Sequence, residues 1–200
     1  MWAVMMCGAA AFAQDEPRIG LTMGSPSSVG VIWQVSDKVA VRPELAFTRV
    51  TNEFPSADLV GGGTTTASAD SWQVGAGVSG LFYVSRWNGV RTYLSPRLVY
   101  TKSSSSSSSS SVSSIKGESS MYTTSGSFGA QYAVARHFGV FGEVGLAYGS
   151  TTSISTSTVT LPGIGAFLGA SAPSSTLVTR TESRTTSFGI RSGVGVILFF

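Results

Sequence analysis

The stretch Ser187–Phe200, SFGIRSGVGVILFF, decides the fold. If it is a strand, Phe188, Ile190, Val194, Val196, Leu198 and Phe200 stand in one row, interrupted by Ser192 alone, while Gly189, Arg191, Gly193 and Gly195 stand in the other. The first row suits hydrocarbon and the second is small or charged. In a soluble sandwich the second row would be ordinary polar surface, and a strand finishing on two aromatics is unusual because chain ends fray. A transmembrane barrel accounts for both features.

Composition points the same way. Of the 200 residues 12% are charged, about half the usual share for a soluble domain, while 42% are hydrophobic and 24 are glycine. Mean hydropathy is +0.23. Yet no stretch approaches the roughly 20 consecutive apolar residues of a membrane helix, since Gly, Ser, Thr or a charge recurs every few positions. A membrane protein without such helices has to close a barrel, because lipid satisfies no backbone N–H or C=O. The formal charge of +3 is small and scattered, and no phosphate-binding glycine loop occurs, so nucleic acid is not an expected partner.

Ala3 to Ala11 is an uncharged apolar run, and Ala11-Phe12-Ala13 forms an A-x-A cleavage pattern ahead of Gln14. Residues 1–13 are expected to be an export signal, its start truncated because a basic leading segment is missing, and residues 14–200 a single barrel domain. The alternative is a buried N-terminal strand. Cys7 lies within the signal, so the mature chain is expected to have no cysteine. That excludes a disulfide framework, a thiol nucleophile and a cysteine metal site.

Strand-like alternation occurs in eight places. The first strand is expected at about 18–24, with Ile19, Leu21 and Met23 in register, and the second at 29–35, with Val29, Val31, Trp33 and Val35. The third, 39–49, has Val39, Val41, Pro43, Leu45 and Phe47 on its outward face. The fourth, 72–84, presents Trp72, Val74, Ala76, Val78, Phe82 and Val84, and the fifth, 90–102, Leu94, Pro96, Leu98 and Tyr100. The sixth, 122–135, has Phe128, Ala130, Tyr132 and Val134, the seventh, 138–148, Val140, Val144, Leu146 and Tyr148, and the stretch at 187–200 is the eighth. Short turns fall at Ser25–Ser28, Ser36–Lys38, Arg86–Gly89 and Arg136–His137, with Asn88-Gly89 the strongest hairpin signal. Long polar connections are expected at 51–70, through the unbroken serine tract Ser103–Ser111, and at 149–184.

The three tightest turns and both chain ends thus fall at one end of an even-stranded meander, and the long connections at the other. That is the arrangement of outer-membrane barrels, with short periplasmic turns and long extracellular loops. Aromatics fall into two belts: Trp33, Trp87, Phe138 and Phe200 near the tight turns, and Phe47, Trp72, Tyr100 and Tyr148 near the other rim. With Val41-Arg42-Pro43-Glu44-Leu45 and Leu94-Ser95-Pro96-Arg97-Leu98, each charged inward within an apolar outward row, the chain resembles the OmpA/OmpX-like family of small outer-membrane β-barrel domains. The resemblance implies an all-β, eight-stranded, antiparallel up-and-down transmembrane β-barrel in the bacterial outer membrane. It implies outer-membrane lipid and the barrel-assembly machinery as partners, with Val194, Val196, Leu198 and Phe200 as the assembly signal.

Alternation sends the charged strand residues into the lumen. An eight-stranded barrel is just filled by side chains, so Arg42, Glu44, Arg91, Arg97, Glu143 and Arg191 are expected to form a structural charge-paired plug rather than an ion-selective pore. Catalysis is not expected. The single histidine, His137, lies in a turn at the end opposite the surface loops, and the serine tract offers no base for a nucleophile. No metal or cofactor constellation occurs. The apolar loop segment LPGIGAFLGA, with Leu161, Ile164, Phe167 and Leu168, is a candidate contact surface, or folds over the barrel mouth.

The expected function is that of a non-enzymatic outer-membrane barrel, structural or surface-binding and adhesin-like through its loops, with an extracellular ligand of unknown identity. The alternative is a soluble lipocalin-like barrel holding an apolar ligand, which needs the opposite faces. A narrow porin-like channel is a third reading.

Overall fold

The computed structural model describes residues 19–25, 28–57, 64–109, 113–161 and 175–200. It contains eight strands, β1 (Ile19–Ser25), β2 (Ser28–Ser36), β3 (Val39–Ala57), β4 (Thr64–Trp87), β5 (Val90–Ser109), β6 (Ser113–Ala135), β7 (Phe138–Leu161) and β8 (Ser175–Phe199). Each pairs with the next, and β8 returns to β1, closing an up-and-down barrel. All the pairings are antiparallel, from Ile19 opposite Trp33 to Gly20 opposite Phe199.

The faces follow the expected parity. Along β2, Val29, Val31, Trp33 and Val35 are exposed while Gly30 and Ile32 are buried. The outward row continues around the barrel through Leu45, Val78, Leu94, Phe128, Val144 and Val194, all exposed. A contiguous apolar surface of this kind is stable in hydrocarbon and not in water. A lipocalin-like calyx would bury that row, so this reading is set aside.

Asp37–Lys38, Asn88–Gly89 and Arg136–His137 make the tight turns. Asn88 and Gly89 have φ of 47° and 81°, the left-handed pair of a type I′ hairpin, whose twist matches that of the flanking strands. Beside each tight turn the register shifts once, at Gln34/Ser36, Tyr83/Ser85 and Ala133/Ala135. Such bulges increase local twist at a barrel rim.

Strand length differs from the expectation. The polar connections at 51–70 and 149–184 are largely ladder, with β3 running to Ala57, β4 starting at Thr64, β7 reaching Leu161 and β8 starting at Ser175. The serine tract is strand as well, Ser103–Ser108 facing Ser68–Gln73 on one side and Ser114–Ser119 on the other. The ladder is made by backbone groups and needs no apolar row once the barrel has set its register. Serine hydroxyls add cross-strand contacts, Ser68 to Ser108 at 2.9 Å, Ser103 to Ser119 at 2.9 Å and Ser153 to Ser183 at 2.8 Å.

Inside, Ile32, Ala40, Leu81, Tyr93 and Ile197 form an apolar cluster with Tyr83, Phe141 and Phe199 packed against it. It fills the lumen toward the tight turns. Charged and hydroxyl side chains occupy the lumen above it.

Candidate functional site: the charged lumen and the cup above it

The inward row of β3 places Arg42 and Glu44 two residues apart, and the same parity brings in Tyr93, Ser95 and Arg97 from β5, Glu143 from β7 and Arg191 from β8. Glu143 is the hub. Its Oε1 accepts from Arg42 Nη2 at 2.7 Å and from the Tyr93 hydroxyl at 3.0 Å, and its Oε2 accepts from Arg191 Nη1 at 3.3 Å. Arg42 also donates to Ser79 Oγ at 3.4 Å and lies 5.1 Å from the centre of the Phe141 ring. Glu44 accepts from Arg97 Nε. Arg42 is only 4% exposed and Glu143 5%, so each depends on the other for its charge to be tolerated at that depth.

Two glycines make the geometry possible. A Cβ on Gly129 would lie 2.5 Å from the Tyr93 ring, so glycine lets Tyr93 lie against β6 and reach Glu143. A Cβ on Gly77 would come within 3.1 Å of Glu44 Oε1 and 2.9 Å of Val99, crowding the carboxylate that holds Arg97.

Five of the six expected lumen charges, Arg42, Glu44, Arg97, Glu143 and Arg191, therefore meet in ion pairs. Arg91 is placed differently. It sits nearer the tight turns than Tyr93, with its guanidinium 5.4 Å from the centre of the Tyr83 ring. Tyr83 in turn packs edge-on to Tyr93 and donates to Gln131 at 3.1 Å. Sequence reasoning about charge alone passes over Tyr83, Tyr93 and Ser79, although the inward parity of Tyr93 with Arg91 and Arg97 is a signal for it.

The other expected site residues fall as follows. Val194, Val196 and Leu198 stand in the outward row of β8, and Phe200 follows, its N–H donating to the Ile19 carbonyl at 3.1 Å. His137 is exposed in its turn, Nδ1 3.1 Å from the Phe199 carbonyl oxygen. Leu161 is the last residue of β7 rather than a loop residue, while Ile164, Phe167 and Leu168 lie outside the described residues. Among the described residues, no group of three His, Cys, Asp or Glu side chains could hold a metal ion.

Above the charged layer the barrel changes form. β1 ends at Ser25, opposite Val194, and β2 begins at Ser28, opposite Ala46. Beyond those points β3 to β8 continue as a six-stranded sheet, with β3 and β8 as its two edges. The β1–β2 hairpin thus leaves a notch in one side of a cup whose floor is the charged layer. Phe188 and Ile190, on β8 above the end of β1, are 72% and 82% exposed, with β7 on one side and no strand on the other.

On the outer face of the sheet, Asp70 accepts from Arg49 Nη2 at 3.2 Å and Nε at 3.3 Å and from Thr51 Oγ1 at 3.0 Å. The hydrogen bonds from Arg49 and Thr51 hold its carboxyl below the ordinary value of 3.8.

No family model matches the chain, and no curated protein matches it. Among solved structures it is similar to a major outer membrane protein from Thermus thermophilus, at 13% identity and a TM-score of 0.55, with 93% of this chain and 100% of that chain covered. It is also similar to CarO2 of Acinetobacter baumannii, at 12% identity and a TM-score of 0.43, with 92% and 98% covered. At such identities the first likeness speaks for fold, and the chain has the fold of a bacterial outer-membrane β-barrel: eight-stranded, antiparallel and up-and-down.

Proposed function

We propose that the chain is a non-enzymatic integral protein of the bacterial outer membrane, of the OmpA/OmpX-like kind, that acts at the cell surface by presenting its β3–β8 sheet to a surface or ligand. The observation that carries this reading is strand length. A strand needs about 9–11 residues to cross a bilayer, and β3 to β8 run to between 19 and 25 residues. The excess projects beyond the apolar belt on one side only, as a polar sheet with two open edges. Scaffolds that display such elements commonly use them for contact. Leu161 closes β7 at that same display end. Residues 1–13 serve export.

The test is display on cells. Cells expressing the full chain should adhere to an abiotic or epithelial surface above the level of vector-only cells. A variant lacking residues 103–119 should lose that adhesion while still giving a compact band that shifts on boiling. Equal adhesion by both, or none by either, rejects the surface-contact role. The apolar cluster around Leu81 and Ile197 favours a closed lumen over a channel. Planar-bilayer recordings should accordingly show no unitary steps, and reproducible steps would move the assignment to a channel.

A further inference from the structure

Charge is unevenly matched at the floor of the cup. Glu143 is shared by Arg42 and Arg191, and Glu44 is engaged by Arg97, so three arginines meet two carboxylates. Arg97 and Arg191 are near enough to act on each other electrostatically. Arg42 Nε is buried with no hydrogen-bond partner. A buried guanidinium N–H left unmatched is costly and marks a place where an acceptor belongs. Arg42 also borders a space of about 10 Å³ in the lumen, lined with it by Thr22, Ser28, Glu44, Glu143 and Arg191 among others. That is the size of one water-sized group.

A second observation is independent of the floor. No register shift interrupts β3 to β8 above the bulges, so parity assigns each residue of the sheet to a face. Among the described residues every charge of the extension, such as Arg49, Asp70, Lys116, Glu118, Arg180 and Glu182, falls on the outer face. The face continuous with the lumen carries hydroxyls instead, including Thr101, Ser103, Ser119, Thr123, Ser153 and Ser183. A cationic floor below uncharged walls focuses its field on a small anion entering the cup.

We propose that the cup binds a small hydroxyl-rich monocarboxylic acid of the sugar-acid class, one oxygen of its carboxylate entering the space beside Arg42 and Arg191 and its hydroxyls facing the serine and threonine rows. A single surplus positive charge and room for one oxygen favour a monoanion over a phosphate dianion. Glu44 and Glu143 face the same space, but both are already engaged by arginine, which leaves the arginines' remaining N–H groups to the ligand.

The test is calorimetric titration of the chain refolded in zwitterionic detergent, with D-galacturonate, D-galactose and acetate as probes. Galacturonate should bind saturably, acetate more weakly and galactose not at all. Because a hydrogen bond to a charged group is lost, Arg191→Gln should weaken galacturonate binding by at least about tenfold. Arg191→Lys should restore part of it, and Arg184→Gln on the outer face should leave it unchanged. Ser28→Phe, which fills the space without removing an ion pair, should abolish binding in a protein that still shifts on boiling. The proposal is overturned by no saturable galacturonate binding, by galactose or acetate binding as tightly, or by binding that survives Ser28→Phe.

Discussion

The lower barrel and the sheet above it share one hydrogen-bond ladder and differ in almost everything else. In the barrel each strand alternates, apolar toward lipid and small, polar or paired toward the lumen, and the interior is packed by Tyr93, Leu81 and Ile197. In the extension both faces are rich in serine and threonine, and β8 is exposed along its whole upper length from Ser175 to Ile190. β1 ends at Ser25 and β2 begins at Ser28, whereas β3 to β8 carry the same register onward. Side chains therefore determine the pairing in the barrel, and the extension inherits it through the backbone. Local stability should follow that division, high where side chains pack and low where only the ladder holds.

The largest expected break is in the lumen. Glu143→Ala leaves Arg42 buried without its counter-ion and Tyr93 without its acceptor, and should destabilise the refolded barrel by about 3–5 kcal/mol, read from urea titration of the boiling-sensitive band. A loss no greater than that of a serine substitution in the extension would show that the lumen charges are not what holds the barrel. Next comes the lipid face. Val144→Arg, at an outward position 56% exposed to the bilayer side, should cost about 2–4 kcal/mol near the midplane. Folding in lipid as the parent does would overturn the assignment of faces.

That same division explains what was legible in the sequence. Strand number, face parity and the tight turns could be read wherever apolar residues alternate, and Val194, Leu45 and Phe128 all point as their spacing predicts, whereas the connections read as long are largely ladder. The lumen charges were legible for the same reason, since Arg42, Glu44, Arg97, Glu143 and Arg191 share the inward parity. Arg91 was harder because parity gives a face and not a depth, and its place over Tyr83 depends on where the apolar cluster ends. Ser103–Ser108 was illegible because a homopolymeric tract has no alternation to read, and its strand state is decided by neighbours on other strands, Ser68–Gln73 and Ser114–Ser119. The floor of the cup was hidden likewise. An unmatched Nε on Arg42 is a fact of three-dimensional packing.

Smaller effects belong to the extension. Replacing Ser103, Ser105 and Ser107 together by alanine removes the hydroxyl contact to Ser119 and leaves the ladder in place. A single half-buried hydroxyl hydrogen bond contributes little net stability, so the urea midpoint of the barrel should move by less than a change equivalent to about 1 kcal/mol. Amide exchange at 103–108 should already be faster than at 93–99 in the parent chain. Protection as high in the tract as in the barrel would mean that the sheet is held by more than the ladder.

The smallest effect is confined to one corner of the sheet and has a definite sign. Asp70 is exposed, and hydrogen bonds from Arg49 and Thr51 place its folded carboxyl below the ordinary 3.8. A carboxyl with a depressed folded value supports the β3–β4 corner fully above its unfolded value, and that support disappears as pH falls through the folded value. Lowering pH from about 6 to about 3, across the ordinary carboxylate range, should therefore speed exchange, after correction for intrinsic rates, at the amides of 49–51 and 68–71 while those of 93–99 keep their protection. Salt should weaken the same corner near neutral pH, because an ion pair on an exposed face is screened. Asp70→Asn should begin at the faster rate and lose the pH response. An unchanged pH response in that variant would assign the titration to another group, and an equal response in the lumen strands would mean that barrel and extension do not open independently.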